Sequence, residues 1–90
     1  MPALPTGATP IIKHVASSQS QTVPVGKVWI VFFLFDIIGT TSTRTITLNG
    51  NTIISSNGPV TGRLILRPGD TLAAPSSSTS LLLTGWEVDE

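Results

Sequence analysis

The chain predicts an all-β fold, a small β-sandwich or barrel of about eight antiparallel strands preceded by an extended arm. Three observations point there. Short apolar or alternating runs recur throughout its ninety residues, divided at close spacing by Gly, Pro, Asn and Ser turn signals. No apolar period of 3.6 survives a twelve-residue window, so no segment reads as a helix. One run, Val28 to Ile38, is apolar at every position but Asp36 and holds four of the five aromatic residues.

The elements follow in order. Residues 1–10 read as an arm, because Pro2, Pro5 and Pro10 oppose both helix and sheet pairing. The remainder, 11–90, reads as a single sandwich domain. Ile11–Ala16 and Gln19–Val23 are the first strands. Pro24, Val25 and Gly26 turn the chain into the long strand Lys27–Ile38, and Gly39 to Ser42 form a loop. Thr43–Asn49 alternates, with Ile46 and Leu48 inward and Thr43, Thr45 and Thr47 outward. Asn49-Gly50-Asn51 signals a hairpin, since Asn and Gly accept the positive φ that tight hairpin turns require. Thr52–Ser55 returns. After a turn at Ser56–Pro59, Arg63–Arg67 alternates again, with Leu64 and Leu66 opposed to Arg63, Ile65 and Arg67. Arg67-Pro68-Gly69-Asp70 suits a type II turn. Thr71–Ala74 is a short strand, Pro75–Ser78 a loop, and Thr79–Val88 closes the fold. Gly85 reads as a bulge that re-aims Trp86.

Composition narrows the function. A chain of this size has a modest core and gains from an oligomer or a staple, and it has no cysteine to supply a disulfide or thiolate ligand. Five basic and five acidic side chains give no net charge. That argues against general nucleic-acid binding and against recruitment to an anionic membrane. The run 28–38 is too short for a membrane-spanning helix, which needs about 20 residues. The first ten residues show neither a basic nor an apolar targeting region. Few charges mean little colloidal repulsion, which suits life inside an assembly.

Catalytic chemistry finds few candidates. His14 is the only histidine and therefore the sole conventional base; its neighbours Lys13 and Val15 suggest instead a surface or interface residue. One histidine and scattered carboxylates make no metal-ligand cluster. Asp36 belongs at the wet end of its strand or beside a cation such as Lys27, Arg44 or Arg63, because an unpaired buried carboxylate is costly. Asp70 caps its own turn. Glu87, Asp89 and Glu90 read as a solvated acidic tail or a contact to a basic surface. No catalytic, cofactor-binding or metal-binding residue is assigned, and no cofactor is expected.

In a strand, Val28–Ile38 exposes two apolar faces, and so small a domain covers only one. The other face suggests a partner. The candidate contacts are Trp29, Val31, Phe33, Phe35 and Ile37 on that strand, Trp86 near the chain's end, and Pro5 and Pro10 in the arm. Trp86, flanked by Thr84 and Glu87, also reads as a platform on which a sugar ring could stack.

Two segments carry a family resemblance. Thr22-Val23-Pro24-Val25-Gly26-Lys27-Val28-Trp29 resembles the entry into a long strand seen in small virion proteins of tailed bacteriophages. Leu66-Arg67-Pro68-Gly69-Asp70-Thr71-Leu72, followed by Leu82 to Val88, resembles the closing part of the same proteins. With the Asn49-Gly50 hairpin the likeness covers residues 20–88. It implies a jelly-roll-like sandwich that assembles as a homotrimer and serves as a capsid cement (decoration) protein bound between major capsid subunits on the virion surface. The alternative it implies is a tail, fibre or head-tail component with a glycan-binding or adaptor role. The Pro-Gly-Asp turn is also similar to that of cupins, whose metal histidines are missing here, so their chemistry is not carried over.

Overall fold

The computed structural model describes residues 8–37, 42–75 and 77–90. Among the described residues eight strands run in chain order: β1 (Thr9–Ala16), β2 (Ser20–Thr22), β3 (Lys27–Ile37), β4 (Arg44–Leu48), β5 (Asn51–Ser56), β6 (Val60–Leu66), β7 (Thr71–Ala73) and β8 (Thr79–Asp89). They form two four-stranded sheets, β1-β8-β3-β6 and β2-β7-β4-β5. Every pairing is antiparallel. The pairs β1–β8, β2–β7, β3–β6 and β4–β5 nest inside one another. That nesting is a long hairpin rolled into two sheets, which defines a jelly roll.

Local chemistry sets the corners. Asn49 and Gly50 take φ of 51° and 84°, the paired positive values of a two-residue hairpin turn between β4 and β5. Asp70 N–H donates to Arg67 C=O at 3.0 Å, closing the Pro-Gly turn before β7. Asp70 then ties the two turns together. Its Oδ1 accepts from Asn49 Nδ2 at 2.9 Å and its Oδ2 from Arg67 N–H at 2.8 Å, while Asn49 Oδ1 accepts from Thr71 N–H at 2.9 Å.

The donor from Asn49 and the backbone N–H of Arg67 hold the Asp70 carboxyl below its usual pKa. A depressed carboxylate stabilises the fold above the unfolded-state pKa, and that contribution fades as pH falls through the lower folded value. Asp70→Ala is therefore expected to cost about 1 kcal/mol at neutral pH, the modest figure suited to hydrogen bonds open to solvent. The gap from wild type should shrink below about pH 4, where the carboxyl begins to protonate. Denaturant titrations of both proteins at pH 7 and pH 3 check this; an equal gap at both pH values would contradict it.

The core lies between the sheets. Trp29, Val31, Phe33 and Phe35 of β3 meet Leu81 and Leu83 of β8, Leu66 of β6 and Val15 of β1. The second sheet contributes Ile46, Ile54 and Leu72, with Val23 and Ala74 from the flanking turns. The alternation expected in β4 and β6 is present: Ile46 and Leu66 are buried, whereas Arg63 and Ile65 are exposed.

Three expectations are corrected. The face of β3 assigned to a partner is the core face, with Phe35 fully buried and Trp29 2% exposed. Those rings pack against β8 and β6, and Trp29 Nε1–H donates to Glu87 Oε2 at 2.8 Å, which satisfies the one polar atom that burial would strand. Ile37 is half-buried against the same core. Second, Gly85 makes no bulge, since the β3–β8 register runs unbroken through Val31↔Gly85. Its reason is closeness: a Cβ on Gly85 would land on the Ile30 carbonyl oxygen and 2.8 Å from Val31 Cα. The register shift lies instead between Ile46 and Thr47 in the β4–β5 pair. Third, β1 begins at Thr9 and takes in Pro10, two residues inside the expected arm. Proline is tolerated there because β1 is an edge strand. Pro5 and the rest of residues 1–7 lie outside the described residues.

Candidate functional site

A strand's side chains alternate, so burying the odd residues of β3 turns its even residues outward. Ile30, Phe32 and Leu34 are each about half exposed (46–48%). Register extends this face across the sheet. Ile30 lies opposite Trp86 and Ile65, Phe32 opposite Thr84 and Arg63, and Leu34 opposite Leu82 and Thr61. On the far edge, Pro10, Ile12 and His14 pair with Trp86, Thr84 and Leu82. Ile12 is 75% exposed and Ile65 71%. Four strands about 4.8 Å apart and three residue rows make a face of roughly 400 Å². Eight of its twelve positions are apolar, and large apolar patches on single proteins are often functional.

The face has structure of its own. An open hollow of about 500 Å³ is lined by Ile30, Phe32, Arg63, Ile65, Thr84 and Trp86, with backbone of Gly85 in its floor. Arg63 is exposed, and among the described residues no hydrogen bond or ion pair holds it. A smaller recess at the other end is lined by His14, Leu34, Asp36, Ser80 and Leu82.

The only histidine is thus on this face, where His14 Nε2 lies 3.0 Å from Ser80 Oγ. Asp36 is opposite Ser80 on the far side from His14. Its Oδ1 accepts from Ile37 N–H at 2.7 Å. A nucleophile relay needs the imidazole between hydroxyl and carboxylate; here the hydroxyl stands between the other two. Asp36 sits in the exposed position expected of the strand's wet end. No group of three or more His, Asp or Glu able to hold a metal ion occurs among the described residues.

The acidic end does more than solvate. Glu87 accepts from Trp29, Asp89 pairs with Lys27, and Glu90 N–H donates to Gly26 C=O at 2.9 Å. Lys13 Nζ lies over the Trp29 ring, 5.7 Å from its centroid. The first three contacts fasten the end of β8 to the start of β3, and the last ties β1 to β3; all are structural.

Of the expected contact residues, the structure brings Trp86 and Pro10 together on the outer face and places Trp29, Val31, Phe33 and Phe35 in the core. Sequence reasoning missed Ile12, Ile30, Phe32, Leu34, Arg63 and Ile65 as a set. One signal was present: Asp36 shares the even face of β3, and a carboxylate marks the face that meets water or a partner. The outer face of β6 carried a second, in Arg63.

No protein-family model, curated protein or solved structure matches the chain.

Proposed function

We propose that this chain is a non-enzymatic structural protein of a tailed-phage virion, a capsid cement protein that acts as a homotrimer. The observation that carries the reading is the apolar outer face of β1-β8-β3-β6. A jelly roll with one broad, mostly apolar face is suited to holding a surface rather than a substrate. The order of the resembling segments, from the strand entry at Thr22 to the closure at Val88, supplies the kind of assembly. Several copies on one shell gain by multivalency what a single small contact lacks.

Two measurements test it. Native mass of the purified chain at micromolar concentration should give an oligomer, and a clean monomer counts against that part. Phage shells lacking this protein should bind it back on co-sedimentation, and Phe32→Asp should abolish binding while leaving thermal unfolding within a few degrees. Wild-type protein that does not bind shells overturns the cement role.

A second reading has one observation in its favour: Trp86, Thr84 and Arg63 meet in one hollow. A tail or fibre component could stack a host glycan there, the ring face on the indole and hydroxyls on Thr84 and Arg63. Glycan-array binding that disappears in Trp86→Ala would favour it.

A further inference from the structure

We infer that the surface covering the outer face of β1-β8-β3-β6 brings a carboxylate to Arg63, and that its owner is a shell subunit rather than a second copy of this chain. The inference rests on the attachment reading above and names the chemistry of the partner.

Charge complementarity carries it. Arg63 stands beside Phe32 within the apolar face and lines the hollow with Ile30, Ile65, Thr84 and Trp86. Among the described residues none neutralises it. A partner lying flat on this face strips water from the guanidinium. Left unpaired, that buried charge would oppose the contact. An aspartate or glutamate entering the hollow resolves the conflict, because the guanidinium fork matches a carboxylate with two parallel hydrogen bonds. The hollow gives such a side chain room beside the indole, and the surrounding apolar rows exclude water from the pair.

A second copy does not supply that carboxylate. Two copies stacked face to face about Phe32 set Arg63 against Arg63 when the two-fold crosses the strands. When the two-fold runs along them, β6 comes over β8 and Arg63 meets Thr84. The face's own carboxylate, Asp36, lies four residues beyond Phe32, roughly 13 Å along the strand. Sliding the pair until Asp36 meets Arg63 carries Trp86, Ile30 and Ile65 out of the contact. The face is therefore poorly matched to itself and well matched to an acidic site on an apolar surface.

The experiment uses full-length protein rebound to phage shells that lack it. Arg63→Lys keeps the charge and provides an amine for zero-length carbodiimide coupling, in which an activated carboxylate forms an amide with that amine. The expected product is a cross-linked peptide joining position 63 to an Asp or Glu of a shell subunit. Arg63→Lys should bind within several-fold of wild type, and Arg63→Leu at least about tenfold more weakly. Arg63→Leu binding as well as wild type or better overturns the inference, since a purely apolar partner would welcome leucine. A cross-link from position 63 to another copy of this chain, or none while the protein stays bound, overturns it too. Phe32→Asp separates the two levels: if that variant and every Arg63 variant bind like wild type, the attachment reading itself has failed. Acidic-glycan binding that is lost in Arg63→Leu, with no binding to shells, would assign the hollow to a saccharide and overturn the inference.

Discussion

Gly85→Ala is expected to destabilise the protein by about 3 kcal/mol or more, beyond the usual range for one added methyl group. The cause is specific. A Cβ at position 85 meets the Ile30 carbonyl oxygen and Val31 Cα, which are main-chain atoms of the neighbouring central strand. A crowded side chain relieves a clash by changing rotamer, but here only separating β8 from β3 makes room. These two strands share eleven paired positions and form the middle of the first sheet. For a domain of this size the loss corresponds to a fall in melting temperature of roughly 15 °C. Gly62→Ala is the instructive comparison. Its Cβ would come within 2.7 Å of the Phe33 ring, a side chain that can tilt, so its cost should be smaller. Thermal unfolding of both variants followed by circular dichroism decides the matter. A Gly85→Ala protein as stable as wild type would mean that β8 does not run this close to β3.

Phe35→Ala and Phe32→Ala should behave in opposite ways, although the two residues are three apart on one strand. Phe35 is fully buried among core side chains. Its truncation leaves a cavity and should cost about 3–5 kcal/mol. Total stability for a chain this long is on the order of 5–13 kcal/mol, so that variant forfeits a large share of it. Phe32 is 48% exposed on the outer face and opposes Thr84 and Arg63, so its truncation should shift stability by about 1 kcal/mol or less. The same Phe32 substitution should weaken the proposed attachment to the shell. Denaturant midpoints and shell co-sedimentation on both variants check the pair of expectations. Equal destabilisation by the two would mean that β3 is buried on both faces in the single chain.

That contrast shows where sequence reasoning stopped. Strand positions were legible because β4, β6 and the turns between them alternate or carry turn-specific residues. Ile46, Leu66 and the Asn49-Gly50 pair occupy the places their types demand. The long strand was legible as a strand but not as a face. Val, Ile, Leu and Phe fill both of its sides, and hydropathy assigns no inside when both sides are apolar. Asp36 was the residue that broke the tie, and its weight was spent on the strand's end rather than on the strand's parity. Gly85 misled for a related reason. A glycine inside a strand signals either a bulge or a close approach of backbone, and only the partner strand's position tells which.

The sequence by itself determined an all-β fold of short strands, its hairpin and its want of cysteine chemistry, because these depend on residue type and spacing along the chain; the nested pairing that makes it a jelly roll came from the structure. The tertiary structure alone decided which side of β3 is core. Packing against Leu81, Leu83 and Leu66, with Glu87 taking the indole N–H of Trp29, selected the odd residues. It also decided that Arg63 of β6, Phe32 of β3 and Trp86 of β8 share one surface. Those residues are far apart in sequence, and their adjacency is a matter of register, set by hydrogen bonding and packing between strands rather than by any local pattern.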